Sequence, residues 1–548
     1  MERDTFTSRM LTRRRLLAGA GAAMAGAAAF GAVGCGDDDD DTGSTPATAG
    51  TGGATAPATT TQAPRKGGTL RMNQTGDLQL NAGYPFVVAP PNRILPWLVH
   101  EPLIRYRKDV RNPELLLVDQ FEYSADRTKL TVRLKPGVTF HDGAPLTPED
   151  VFFSIDFSLN PKAYGVTISG TPSQLAKAIA GRKKVDDRTM EFTFDRPRWD
   201  MTGYFATLNI HREASLPKML AGEALNGTGP YMLEKYTPGV GITFVPNRNW
   251  HLSAQEGGPY LDRIEARIFT DESAAATAFE AKDLDVAFRL PGADARRFRD
   301  RVRKAPRIGG LFLGMVVKNP MLADPRVRQA VFWAIDRDRI AKEVGEGFYP
   351  ATAQIWPEYS PAYDPELDKP YYDPAKAKSL LQQAGFSQDR PLEIPYTQRS
   401  EASVLVVKEN LETIGIKTAP KLTETAVFIN TLRQRQYGDF YVAGMNFSDP
   451  VPSSALLNNF NVAIPNQAYQ ESPELKDILA KIGTVDPLGE EAKELYRRFN
   501  RLWVEDPWIA VLEPSGALDV ASDRVQGFDE YFIVPLQAPN FGRIWLKA

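Results

Sequence analysis

The chain has 548 residues, 43% hydrophobic and 10% aromatic, which is enough to bury more than one core and too many for a single ordinary domain. Setting aside the five Lys/Arg and seven Asp/Glu that precede residue 65 leaves 60 basic and 61 acidic residues, a balance without the clustered basic excess of a nucleic-acid binder. No run of about 18 apolar residues follows residue 65, so no internal helical membrane span is expected.

Near the start, Thr12-Arg13-Arg14-Arg15-Leu16-Leu17 resembles a twin-arginine export motif. The Ala/Gly-rich run over 18–34 is too short and too weakly apolar to span a membrane comfortably. It ends at Ala32-Val33-Gly34-Cys35, which looks like a lipobox in which Ala32 stands where Leu is usual. Cys35 is the only cysteine, so an internal disulfide is impossible, and residues 1–35 are expected to be an export signal that leaves lipid on Cys35. Residues 36–64 hold five aspartates (Asp37 to Asp41) and then Thr, Ala, Gly and Pro. A tract with so few large apolar side chains cannot offset its ordering entropy and is expected to be a flexible tether. Five adjacent aspartates without a turn-forming glycine pattern make a poor cation cage, so a solvated acidic run is expected.

From residue 65 onward, strand-like and helix-like patterns alternate, which predicts mixed α/β architecture. Residues 128–134 and 189–194 alternate polar and apolar with period two, as half-buried strands do. Asp142-Gly143 marks a turn with His141 expected exposed within it. After it Thr147 is placed to N-cap a helix, with Pro148 at its first position and Glu149 and Asp150 in its first turn. Gly227-Thr228-Gly229-Pro230 leads into strand-like Tyr231-Met232-Leu233 and lacks the lysine of a phosphate loop, so it predicts a turn. A strand-like run at 310–317 opens a later domain. The apolar residues Val327, Ala330, Val331, Ala334, Ile335 and Ile340 predict one helix over 326–344, on which Arg326, Arg328, Asp336 and Arg337 are expected to form surface and inter-domain ion pairs. Further helices are predicted over 375–384 and 402–414, stopped by Gly385 and Gly415. Trp333, Trp356 and Trp503 fit core positions. Trp356 lies in the loop Ile355-Trp356-Pro357 and is also a candidate ligand contact. No internal repeat of about 20 to 50 residues appears.

Phe140-His141-Asp142-Gly143 with Leu146-Thr147-Pro148-Glu149-Asp150-Val151 looks like the signature of the peptide/nickel class (family 5) of extracytoplasmic solute-binding proteins of ABC transporters. Four more segments resemble that family in the expected order. They are Gly227 to Tyr231 with Asn247-Arg248-Asn249-Trp250, Asp324 to Ala330 with Ala334-Ile335-Asp336-Arg337, Tyr372-Asp373-Pro374-Ala375-Lys376-Ala377, and Gly415-Ile416-Lys417. The resemblance implies a periplasmic-binding-protein type II fold with two lobes and three domains around a central ligand cleft, closing on solute by hinge motion. Expected limits are 65–104, 200–305 and 518–548 for domain I, 105–199 for domain II inserted in the same lobe, and 306–517 for domain III, the second lobe.

In peptide-binding members of the family a Trp three residues before an Asp helps form the pocket, and that Asp pairs with the peptide ammonium. Anchored on Asp449-Pro450, those places hold Ala443 and Asn446 here. The expected ligand contacts are therefore Ala443, Met445, Asn446, Phe447, Asp449 and Trp356. A neutral Asn suits a hydroxyl, carbonyl or amide better than an ammonium, which needs a charge partner once desolvated. The resemblance implies a small-molecule or oligopeptide-like solute and ABC permease subunits as partners, while the lipobox and the charge balance lead to the expectation of a lipid-anchored extracytoplasmic monomer and no nucleic acid. No GxSxG or HExxH motif occurs, and His100, His141, His211 and His251 lie far apart in sequence, so no enzyme activity, metal or cofactor is expected. A signalling or chaperone-like binding lipoprotein, and an extracellular hydrolase, are the alternatives.

Overall fold

A computed structural model describes residues 63–78, 96–106, 112–164, 175–307, 309–446, 451–460, 468, 470–528 and 539–547. The chain divides into two units, Met1–Ala63 and Pro64–Ala548. The export signal, Cys35 and the acidic tether lie outside the described residues. The second unit is mixed α/β and is built around three sheets with their own hydrophobic cores.

The first sheet has seven strands in the order Val302–Lys304, Leu518–Ala521, Val286–Ala287, Thr69–Thr75, Arg263–Phe269, Gly241–Pro246 and Tyr231–Thr237. Thr69–Thr75 runs parallel to both of its neighbours. A parallel pair needs a long crossover, and the crossover from Thr75 to Arg263 carries the second sheet. That sheet is antiparallel, with order Val118–Tyr123, Lys129–Leu134, Thr189–Phe194 and Ile179–Lys184. The period-two runs form strands there as expected. Leu130, Val132 and Leu134 point into one core with Met190, Phe192 and Phe194. The helix Met201–Thr207, which the sequence reading assigned to domain I, buries Met201, Tyr204 and Phe205 in this core, as do Trp250 and Leu252.

The third sheet has Gly309–Met315 in the middle, flanked antiparallel by Phe440–Asn446 and Ile509–Ser515. A parallel pair, Leu392–Tyr396 and Thr418–Leu422, continues beside it. It is tied on where the Glu393 N–H donates to Asp439 Oδ2 at 2.8 Å. The predicted helices occur as Pro374–Gln383 and Glu401–Thr413, each followed by a positive-φ glycine, Gly385 and Gly415. Leu405, on the second, is apolar yet 53% exposed.

Two expectations are corrected in this domain. The single helix over 326–344 is two, Pro325–Ala334 and Arg337–Glu343, because Asp336 breaks the run and caps the second helix through Arg339 N–H at 2.9 Å. Arg328 and Arg337 are buried, not surface residues. Arg328 donates to the carbonyls of Pro507, Leu322 and Ala323 and pairs with Asp506. Arg337 donates to Val511 O at 2.8 Å, Phe332 O at 3.0 Å and Pro370 O at 2.7 Å. Arg326 does sit at the surface, paired with Asp324.

Candidate functional site

The chain passes between the first and third sheets twice. One passage follows Val302–Lys304 and leads to Gly309–Met315, and the other follows Ile509–Ser515 and leads to Leu518–Ala521. The two passages are bonded to each other, since Ala305 N–H donates to Ala517 O at 3.0 Å. Tyr349 holds both, its hydroxyl lying 2.8 Å from Ala305 O and 3.3 Å from Ala517 O. Gly516 leaves room for that hydroxyl, because a Cβ there would lie 2.2 Å from Tyr349 Oη. Two short adjacent crossings between separately cored domains are the geometry of a hinge.

The hinge ends of the third sheet face the space between the lobes. Across its strands, Asn446 pairs with Gly309, Met445 with Gly310, Gly444 with Leu311 and Ala443 with Phe312. On the other side, Leu311 pairs with Glu513 and Gly310 with Pro514. Gly310 is required by close approach, as a Cβ there would fall 2.3 Å from Glu513 O. At Gly444 a Cβ would meet nothing within 4 Å, so the strand is open on that side.

A cavity of about 140 Å³ sits beside the crossings, walled by both lobes. Arg289, Gly292 and Leu518 come from the first-sheet domain, and Tyr349, Arg399 and Glu513 from the other. Burial raises the Glu513 carboxyl above the usual carboxylate range, partly offset by the charge of Arg399 and a bond from Ser403. A larger hollow of about 870 Å³, with Val316, Arg390 and Tyr437 in its wall, lies past Met315 and Phe440. That is the opposite end of the same strands, about 20 Å from the hinge at strand rise, so it is not between the lobes. The lobes also touch away from the hinge, where Ser454 Oγ donates to Asp200 O at 3.3 Å and Val451 joins the core of the second sheet.

The expected contacts fall in different places. Asn446 ends its strand beside Gly309, at the hinge end. Met445 is half-buried against the large core of the third-sheet domain. Ala443 is 8% exposed and packs with Val316, Phe428, Leu432 and Tyr441. Phe447 and Asp449 lie outside the described residues. Trp356 is 1% exposed, packs with Phe499, and donates its indole N–H to Asn500 Oδ1 at 2.8 Å. Its ring serves the core and has no open face for stacking. Sequence reading missed Glu513, Arg399 and Tyr349. Glu513 did leave one signal, as the lone charged residue in the otherwise apolar run over 508–514.

The family signature is structural. Thr147 N–H and Oγ1 both donate to Asp150 Oδ2, at 2.8 and 2.7 Å, closing a capping box on the helix Pro148–Leu159. The turn before it docks on the turn at 226–229: His141 N–H donates to Gly227 O at 2.9 Å, and Asn226 Nδ2 donates to Asp142 Oδ2 at 2.9 Å. His141 is therefore half-buried, contrary to expectation, with Nε2 3.0 Å from Gly229 O. The glycines of 227–229 serve close packing, since a Cβ on Gly227 would lie 2.0 Å from Val99 O.

The four histidines, dispersed in sequence, gather around this junction. His100 and His211 are buried with ring centroids 4.4 Å apart. His251 Nε2 lies 2.8 Å from Glu101 Oε2, and Glu101 also accepts from Thr228 and Trp250. Burial pushes His100 well below the usual imidazole range, helped by the charges of His211 and His141, and lowers His211 to about 3. Among the described residues no group of three or more His, Cys, Asp or Glu is placed to hold a metal ion.

Two separately cored lobes, a two-strand hinge and a cavity between them define a solute-binding protein that captures its cargo between lobes. The family model "Bacterial extracellular solute-binding proteins, family 5 Middle" matches residues 112–466, and the chain belongs to that family. It captures a solute outside the cytoplasm for an ABC importer. Among relatives, the glutathione-binding protein GsiB of Salmonella typhi is 27% identical over 429 residues, covering 72% of this chain and 80% of that protein. The fold matches the periplasmic binding protein DppA of Helicobacter pylori in complex with peptide STSA at a TM-score of 0.71 and 20% identity, covering 88% of this chain and 99% of that one. It also matches AgaA from A. tumefacien R10 in complex with agropinic acid, at a TM-score of 0.71 and 22% identity over 88% of this chain and 99% of that one.

Proposed function

We propose that the chain is the substrate-binding lipoprotein of an ABC importer, held on the outer side of the membrane by lipid on Cys35. It works as a monomer that closes on a peptide-like or modified small solute and presents it to the permease. The observation that carries this reading is the pair of hydrogen-bonded crossings joining two separately cored lobes, because that arrangement lets solute contacts made only in the closed state drive closure. The relatives named above, on glutathione, a peptide and agropinic acid, support an amino-acid-derived cargo. Around Ala443, Met445, Asn446, Phe447 and Asp449 the sequence lacks the Trp and the Asp of peptide-binding members, at 443 and 446, which favours a solute unlike the free peptides that those residues accept. Solute capture is proposed as the whole activity, without a catalytic step.

The test is a thermal-shift screen of the protein against peptides, oligosaccharides, opine-like amino-acid conjugates and metal chelates, because a solute that binds only the folded state raises the melting temperature by mass action. A shift with modified or conjugated solutes supports the reading of the strand end. Equal shifts with unmodified di- to pentapeptides refute it, and no shift with any class refutes solute capture.

A further inference from the structure

Among the described residues Glu513 is a carboxyl to which no cation is bonded, and Arg399 in the same cavity acts on it through charge alone. Its hydrogen-bonding partner is Ser403, whose hydroxyl donates to Oε2 at a long 3.5 Å. Among the described residues no cation lies within ion-pairing distance of it, and Oε1 accepts no bond. Gly345 packs beside Oε1, where a Cβ would lie 3.5 Å away, so a side chain at 345 would crowd the carboxylate. A desolvated acid without a partner is costly, and proteins ordinarily pair or neutralise it.

The surroundings say which partner fits. Glu513 lines the cavity of about 140 Å³ between the lobes, the room of about five waters. That admits a head group and not a whole solute. Arg399 lines the same cavity, is exposed, and makes no hydrogen bond or ion pair among the described residues. Arg289 approaches from the other lobe, its main chain fixed at positive φ by a bond from its N–H to Asp519 Oδ1 at 2.8 Å. A bare cation entering here would meet two like charges beside its one acceptor. The group that fits brings its own anion, as the head of an amino acid does.

Position 446 meanwhile offers no carboxylate, although its strand reaches the same end of the sheet as Glu513, with the central strand Gly309–Met315 between them. We propose that Glu513 accepts the ammonium of an amino-acid-type head group, which is seated in the hinge cavity and not at position 446. This inference rests on the reading of the chain as a solute-capturing protein. It fixes the end of the solute that enters first, and it selects solutes that keep a free amine next to a carboxylate.

The test uses the full chain with glutamate, glutathione, the N-acetyl form of each, and maltotriose, read by thermal shift and by calorimetric titration. The expected result is binding of at least one free-amine probe, a loss of tenfold or more on its N-acetylation, and a similar loss in Glu513→Gln. That variant keeps the shape of the side chain and is expected to melt close to the parent without solute. Equal affinity of Glu513→Gln and parent for the amine probe, equal affinity for the acetylated probe, or binding of maltotriose alone overturns the assignment of Glu513 and leaves solute capture standing. Binding of none of the five counts against both.

Discussion

Acid should weaken this protein through the histidines at the junction of the first two sheets. His211 titrates near 3 in the folded chain and near its ordinary value of 6.5 when unfolded. Between those values the unfolded state holds a proton that the folded state refuses, so stability is intact above about pH 6.5 and falls as pH drops. The slope for one such group is about 1.4 kcal/mol per pH unit, so His211 alone removes roughly 2 kcal/mol by about pH 5. His100, also buried, is shifted in the same direction and adds to the loss. Asp150, Asp200 and Glu513, whose carboxyls burial raises, act in the opposite sense at lower pH. The difference between parent and His211→Gln therefore isolates the imidazole. Denaturant unfolding followed by circular dichroism from about pH 7 to 5 reads both slopes. The variant is expected to be less stable at neutral pH yet to lose about 1.4 kcal/mol less per pH unit. Parallel slopes for parent and variant would refute the argument.

Four further outcomes follow from named contacts. Gly516→Ala puts a methyl against the Tyr349 hydroxyl and Ala305 O at the hinge, and should cost about 1 to 3 kcal/mol as overpacking does. Pairing it with Tyr349→Phe should restore part of the loss, checked by melting temperature. Arg337→Met strips the carbonyls of Val511, Phe332 and Pro370 of their donor, and should cost about 3 kcal/mol or more, measured by denaturant unfolding. Asn446→Ala should weaken solute affinity by about 1 to 3 kcal/mol if its amide bonds the solute, read by titration calorimetry with a solute found in the screen. Cys35→Ser should move the protein from the membrane fraction to the soluble fraction after cell lysis.

What could be read from the chain was what neighbours in sequence decide. The strands Lys129–Leu134 and Thr189–Phe194 follow from strict alternation, and the helix Pro148–Leu159 from the Thr-Pro-Glu-Asp start that its capping box uses. The break before Arg337 was also visible in principle: the apolar spacing jumps by five from Ile335 to Ile340, over an Asp placed to cap. Arg328 and Arg337 were misjudged because their acceptors, Pro507 and Val511, lie more than 170 residues downstream, and a guanidinium inside an amphipathic pattern resembles a surface charge until those carbonyls arrive. The histidine cluster has the same character, being drawn from positions 100, 141, 211 and 251 by the docking of two turns. The candidate site was legible at Ala443 and Asn446 only by alignment to a family pattern. Glu513 was hidden because one acid in an apolar run has no period, and its burial beside the hinge is a property of the fold.

The position of the hinge divides the work among the site residues. A rotation about Ala305 and Ala517 moves an atom in proportion to its distance from them, so groups next to the crossings keep nearly the same surroundings whether the lobes are apart or together. Glu513 and the cavity it lines lie in that region. Contacts made there add to affinity in both states and shift no equilibrium between them. Contacts at the far rim behave oppositely. The bond from Ser454 to Asp200 O joins the lobes away from the crossings, so on the proposed seating a solute held by its head near Glu513 would signal closure through tail contacts nearer that rim. A solute too short to reach from one to the other would bind without closing the lobes, and length as well as charge would then decide what the importer receives.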